Sequence, residues 1–135
     1  MKLSAARECY YSHSGNASAA ARQIAFAGIA VVWVFNQPQA GTPIGLPDQL
    51  TAVLLFLCIA LAFDLLQYSV SAAIWGFYSR LKEKELKHKF HGDPDIEPPP
   101  HLNWPGVMMF WLKLAALFMA YIFLARFLAI SLTWQ

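Results

Sequence analysis

The chain has 135 residues, of which 58% are hydrophobic and only 13% are charged, and its formal net charge is +2. Soluble domains average about 25% charged residues, so this composition indicates an integral membrane protein. The length and the spread of apolar residues exclude a separate soluble catalytic domain. The sequence also contains no recognisable nucleophile–base arrangement and no glycine-rich phosphate loop. We therefore expect a protein that is not an enzyme and binds no cofactor.

The chain begins with a polar and aromatic segment, residues 1–16, which we expect to lie at the membrane interface. The first transmembrane helix is predicted at 17–35. It is short, because Arg22 and Gln23 interrupt its start, and Arg22 is expected to extend its charge to the near interface. A re-entrant or interfacial helix is the alternative prediction. One face of this helix carries small residues at a spacing that lets another helix approach closely, namely Ala21, Ala25 and Gly28.

Residues 36–48 are predicted to form a loop, since their three prolines and two glycines terminate the first helix. The second transmembrane helix is predicted at 49–79. About 30 residues at ~1.5 Å each exceed the ~30 Å hydrocarbon core, so this helix is expected to project into water. A charged helical extension and a proline-rich connector then make up residues 80–106.

The third transmembrane helix is predicted at 107–132, an apolar run that Lys113 and Arg126 interrupt near its opposite ends. Together these elements predict an all-α, polytopic integral membrane protein with three transmembrane helices and a cytoplasmic helical extension of the second. Three helices bury little surface on their own, so we also expect a homo-oligomer within the lipid bilayer.

The basic residues are distributed asymmetrically along the chain. They flank the start of the first helix and follow the second, while the 36–48 loop has none. The positive-inside rule therefore predicts a multi-pass topology with a cytoplasmic N-terminus and an external C-terminus. The segment from Tyr10 to Phe35 resembles the start of small bacterial membrane proteins, and we expect a bacterial inner membrane.

One polar stripe stands out on the second helix. Asp64, Gln67, Tyr68 and Ser71 are spaced at i, i+3, i+4 and i+7, which places them on one face of an α-helix. Asp64 is expected near the bilayer middle, where an unpaired carboxylate is costly, so it should face protein or water. Matching the helix ends at Tyr78 and Gly106 gives three candidate partners on the third helix. These are Tyr121, Lys113 and Arg126.

Three interpretations of the stripe remain open from the sequence. It could hold helices together through interhelical hydrogen bonds, within one copy or between copies. It could line a water-filled path in an oligomer. It could also relay protons through Asp64, although the spans supply no second acid to receive the proton.

The segment after the second helix is basic, and we expect it to contact anionic lipid or a cytoplasmic protein partner. Its positive residues are Arg80, Lys82, Lys84, Lys87 and Lys89. Interleaved glutamates argue against nucleic-acid binding.

Several potential metal ligands follow in the connector: His88, His91, Asp93, Asp95 and His101. Prolines break the regular spacing that a metal site needs, so a solvated polar loop is expected and no metal is assigned.

These observations favour a non-enzymatic small membrane protein that assembles as a homo-oligomer around a polar path, as a channel, pore or membrane-perturbing effector. Two alternatives remain. One is a membrane anchor or scaffold subunit that recruits a cytoplasmic partner through residues 80–106. The other is a small transporter module.

Overall fold

The computed structural model describes residues 3–36, 45–86 and 98–133, with side chains for 12–36, 45–85 and 98–133. This part of the chain is helical apart from short connecting residues. Its elements are α1 (Leu3–Phe35), α2 (Asp48–Leu86), a four-residue 3₁₀ helix (Pro100–Asn103) and α3 (Trp104–Thr133). Each long helix contains a stretch that is long and apolar enough to cross a bilayer. The predicted all-helical fold with three such helices is therefore confirmed, and it indicates a multi-pass membrane protein.

The helices are longer than the predicted spans. α1 begins at Leu3 instead of 17, because no proline precedes Phe35 and the polar N-terminal residues continue the helix. α2 begins at Asp48, whose carboxylate suits the positive end of the helix dipole. It remains helical to Leu86 and is about 58 Å long, well beyond the thickness of the hydrocarbon core.

α2 and α3 form a closely packed antiparallel pair. Near the start of α3, Gly106 lies so close to α2 that a β-carbon there would be 2.8 Å from the hydroxyl of Ser71. Toward the other end, the rings of Phe56 and Phe123 stack with their centroids 5.7 Å apart. Rising residue numbers on one helix therefore meet falling numbers on the other, which defines the antiparallel register.

α1 packs against this pair through its small residues. Ala21, Ala25 and Val32 are buried. A β-carbon on Gly28 would be 3.0 Å from Leu57 of α2, so this glycine allows the two helices to approach closely. At the end of α1, Phe35 makes an edge-to-face contact with a phenylalanine of α3, with ring centroids 6.2 Å apart. α1 is thus antiparallel to α2 and parallel to α3.

The outer surface of the three helices carries many large apolar side chains. Phe118 is 75% exposed, and Leu65 and Phe26 are also exposed. The buried core between the helices consists mainly of alanine, valine and leucine. Large apolar groups facing outward around a core rich in alanine are typical of helices surrounded by lipid.

Candidate functional site

A cluster of charged and polar side chains lies between the three helices, centred on Asp64 of α2. Asp64 is 5% exposed. Its Oδ1 is 2.5 Å from Nζ of Lys113 on α3, and its Oδ2 is 3.3 Å from Nε of Arg22 on α1. The carboxylate therefore binds a cation from each neighbouring helix at the same time. We call Asp64, Lys113, Arg22, Ser18, Gln67 and Tyr68 the charge cluster.

Lys113 is the most enclosed member of the charge cluster, with 1% of the residue exposed. Its ammonium group donates to Asp64, to Oε1 of Gln67 at 2.8 Å and to the hydroxyl of Ser18. An ammonium has three protons, so these three bonds satisfy it completely. Its Nζ also lies 5.4 Å from the ring centroid of Phe110. Complete hydrogen bonding is what permits a lysine to be buried among apolar helices.

Ser18 joins all three helices through its single hydroxyl. The hydroxyl lies on α1, donates to Oδ1 of Asp64 at 3.0 Å and accepts from Lys113. It is also 3.3 Å from the hydroxyl of Tyr68. Because the serine proton is used on Asp64, Tyr68 is the donor in that contact.

The charge cluster has one more positive charge than negative. Asp64 contributes one anion, while Lys113 and Arg22 contribute two cations. Every buried side-chain nitrogen and oxygen in the described ranges has a hydrogen-bond partner. The excess positive charge is best assigned to Arg22, because its side chain is 45% exposed whereas that of Lys113 is 1% exposed.

The structure brings together most of the stripe predicted on α2. Asp64, Gln67 and Tyr68 all belong to the charge cluster. Ser71 lies further along α2, opposite Gly106. Asp64 is buried in the bundle of one copy, Gln67 and Ser71 are partly buried, and Tyr68 lies at the edge of the bundle with 49% of its surface exposed.

Of the three candidate partners on α3, the structure places Lys113 against Asp64. Tyr121 instead donates a hydrogen bond of 2.8 Å to the backbone carbonyl of Ile24 on α1. Arg126 is exposed and is not among the partners of Asp64 in the described residues.

The register explains why Lys113 is the partner. The expected alignment set Tyr78 level with Gly106, which placed residue 120 opposite Asp64. In the structure Gly106 lies opposite Ser71, so α3 is displaced by about two helical turns, or ~10 Å. The contact of Gly106 with Ser71 and the stacking of Phe56 on Phe123 show this alignment, which helix ends alone do not reveal.

Sequence reasoning missed Ser18 and Arg22 as cluster residues. Arg22 was expected to extend its charge to the near interface, and the structure adds an ion pair between its Nε and Asp64. Ser18 and Arg22 are spaced i, i+4 and lie beside the small-residue face that includes Ala21 and Ala25. A hydroxyl and a cation next to a small-residue face are the sequence feature that could have predicted a polar contact of α1 with another helix.

The cavities near the charge cluster are small. One lies against Arg22, Asp64 and Lys113 and measures ≈ 10 Å³, about the space for one water molecule. A polar cleft of ≈ 170 Å³ lies further toward the start of α3. Gln67 lines it and separates it from Lys113, whose protons are already bonded. The site therefore suits charge neutralisation better than binding of a small-molecule substrate.

The basic segment lies only partly within the described residues. Arg80, Lys82 and Lys84 are on the last turns of α2, where Lys82 forms an ion pair of 2.7 Å with Glu85. Lys87, Lys89, His88, His91, Asp93 and Asp95 lie outside the described ranges. Within those ranges, no three His, Cys, Asp or Glu residues come close enough together to hold a metal ion.

Comparison of the chain with protein-family models, curated proteins and solved structures finds no match in any of the three.

Proposed function

We propose that the protein is a non-enzymatic membrane anchor or scaffold. Its three helices form a self-contained unit in the bilayer, and residues 80–106 hold a cytoplasmic protein partner. This is the alternative that the sequence left open beside a homo-oligomeric pore.

The observation that carries the proposal is the location of the polar stripe. A path between copies needs polar side chains on an outward-facing surface. Asp64, Gln67 and Tyr68 instead bond to Lys113 and Ser18 inside one copy. Because the hydrogen-bonding groups of these side chains are used within one copy, they contribute little to association between copies.

The length of α2 supports the same proposal. About 20 residues cross a hydrocarbon core, whereas α2 has 39. Its last turns carry Arg80, Lys82 and Lys84 together with exposed Leu81. A helix that continues past the bilayer offers a regular surface to a soluble protein. The positive-inside rule assigns this end to the cytoplasm.

The first experiment measures ion flux. Purified protein is reconstituted into liposomes loaded with an ion-sensitive dye, and Asp64→Asn is compared with the wild type. We expect no flux above that of empty liposomes. Flux through the wild type that changes in Asp64→Asn, with the size of the assembly unchanged, would establish a pore and overturn the proposal.

The second experiment maps contacts in cells. A photo-crosslinking amino acid is placed at Lys84, and the matched control position is Leu55, which is exposed on the lipid-facing surface of α2. We expect a discrete adduct with a soluble protein from position 84, none from position 55, and loss of the adduct in Lys82→Glu. Absence of an adduct at position 84 contradicts the scaffold even if no flux is seen.

A further inference from the structure

Arg22 is only partly neutralised by the charge cluster. Its Nε binds Oδ2 of Asp64 at 3.3 Å, but Lys113 binds the same carboxylate more closely, at 2.5 Å. The arginine side chain is 45% exposed. Its guanidinium carbon lies 5.7 Å from the ring centroid of Tyr68, which is itself 49% exposed. Because Arg22 shares its counter-ion with Lys113 and is partly exposed, a second anion would stabilise it.

The depth of Arg22 places it within reach of lipid headgroups. It lies about 20 Å along α1 from Phe35, the end of the helix. Lys113, at the same level, lies about 30 Å along α3 from Thr133. Across a core ~30 Å thick, the charge cluster is therefore in the leaflet nearer the start of α1. A long arginine side chain at this depth can extend to the phosphate region.

The chemistry of the site favours a phosphate. A guanidinium presents donors in a planar fork that matches two phosphate oxygens. The excess charge of the cluster is one positive unit, so a lipid with a net negative charge balances it. A zwitterionic lipid brings its own cation and does not. Exposed Phe26, one turn deeper on α1, and half-buried Leu61 of α2 offer apolar surface along which an acyl chain can lie.

We propose that Arg22, packed over the face of Tyr68, is a binding site for the phosphate of an anionic phospholipid. The lipid belongs to the leaflet nearer the start of α1. The bound phosphate balances the excess positive charge, so the cluster and one lipid form a neutral unit. This site is separate from the basic residues at the end of α2.

The test compares lipid retention between variants. Wild type, Arg22→Gln and Arg22→Lys are purified with phosphatidylglycerol or phosphatidylcholine, and bound lipids are counted by native mass spectrometry. Loss of a charge-assisted bidentate contact is expected to lower phosphatidylglycerol retention about tenfold in Arg22→Gln. Arg22→Lys should lie between the two. The matched control is Arg126→Gln, which removes an exposed arginine at the opposite end of the bundle and should retain lipid like the wild type.

A second variant separates lipid binding from a loss of folding. Asp64→Asn removes the carboxylate that competes for Arg22, so phosphatidylglycerol retention per folded molecule is expected to rise. A merely structural role for Arg22 predicts no such rise. For each variant, the thermal unfolding midpoint in phosphatidylglycerol is compared with the midpoint in phosphatidylcholine. Comparing two lipids for the same variant separates lipid binding from any change in the stability of that variant.

Three outcomes overturn the proposal. Equal retention by the wild type and Arg22→Gln shows that the lipid binds elsewhere. Dimers that survive removal of lipid and dissociate in Arg22→Gln show that a second copy supplies the anion. Displacement of the lipid by millimolar inorganic phosphate identifies a soluble anion as the ligand.

Discussion

The α2–α3 pair is in contact along much of its length, whereas α1 makes fewer contacts with this pair. Between α2 and α3, the close approach at Gly106 and the stacked Phe56 and Phe123 lie far apart along the helices, with the Asp64–Lys113 ion pair between them. The bonds of α1 to the charge cluster come from Ser18 and Arg22, one turn apart.

Both charge and packing contribute to the association of these helices. Apolar helices in lipid gain little from burying more apolar surface, so close packing and hydrogen bonds must supply the association energy. The α2–α3 pair has close packing and polar contacts along much of its length. α1 is held to this pair by its small-residue face and by the charge cluster. We therefore expect disruption of the charge cluster to release α1 before it separates α2 from α3.

The largest effect is expected from Asp64→Leu. This change leaves two cations, Lys113 and Arg22, without their anion, and removing one partner of a buried ion pair costs about 3–5 kcal/mol. Lys113→Met should cost less, because it leaves Asp64 and Arg22 as a neutral pair. The free energy of unfolding is measured by titration with SDS, followed by circular dichroism. A larger loss in Lys113→Met than in Asp64→Leu would contradict the charge count given for the cluster.

Gly28→Val tests the packing of α1 independently of charge. The new β-carbon would lie 3.0 Å from Leu57 and 3.3 Å from the hydroxyl of Tyr121, so these side chains or α1 must shift to make room for the valine. Overpacking of this kind typically costs about 1–3 kcal/mol. The controls are Gly15→Ala and Gly76→Ala, where nothing lies within 4 Å of the added carbon. They should stabilise their helices by up to about 1 kcal/mol. Equal changes in the free energy of unfolding at all three glycines would contradict close packing at Gly28.

Gly106→Ala disturbs the α2–α3 pair in the same way. Its β-carbon would meet the hydroxyl oxygen of Ser71 at 2.8 Å, and we expect a loss of about 1 kcal/mol as the serine or the helix shifts. Ser71→Gly should recover most of that loss in the double variant, which a double-mutant cycle measures. Additive effects of the two changes would show that the residues are not in contact.

The smallest effect is expected from Tyr121→Phe. The tyrosine hydroxyl donates to the Ile24 carbonyl, so its removal takes away one hydrogen bond between α3 and α1. We expect a loss of about 0.5–1 kcal/mol, because the carbonyl keeps its place in the hydrogen bonds of its own helix. The same SDS titration measures it. A loss as large as that of Asp64→Leu would mean that the Tyr121 bond holds α1 as strongly as the charge cluster does.

The three helices could be predicted from the sequence because apolar runs separated by prolines determine them directly. The start of α1 at Leu3 could not, since polar residues are compatible with either a helix or an irregular interfacial segment. For α2, the charged residues after Tyr78 are good helix formers, and the structure continues the helix through them to Leu86.

The centre of the charge cluster could be predicted in part. A lone carboxylate in an apolar run demands a partner, and this reasoning identified Asp64 and included Lys113 among three candidates. The choice between them depended on the register of α2 and α3, which is visible in the contact of Gly106 with Ser71. Local periodicity carries no information about such a contact between helices. The contribution of Arg22 was missed for the same reason, because its depth relative to Asp64 depends on how α1 and α2 align.

The order in which the charges occur along the chain has a consequence for biosynthesis. The ribosome delivers α1 and α2 before α3, and these two helices contribute one cation and one anion to the charge cluster, Arg22 and Asp64. Within the first two helices this cation and this anion balance each other, and their pairing lowers the cost of placing either charge in the membrane. Lys113 is synthesised last, and in the folded bundle Asp64, Gln67 and Ser18 accept its protons. Every acceptor of the Lys113 ammonium is thus synthesised before Lys113 itself.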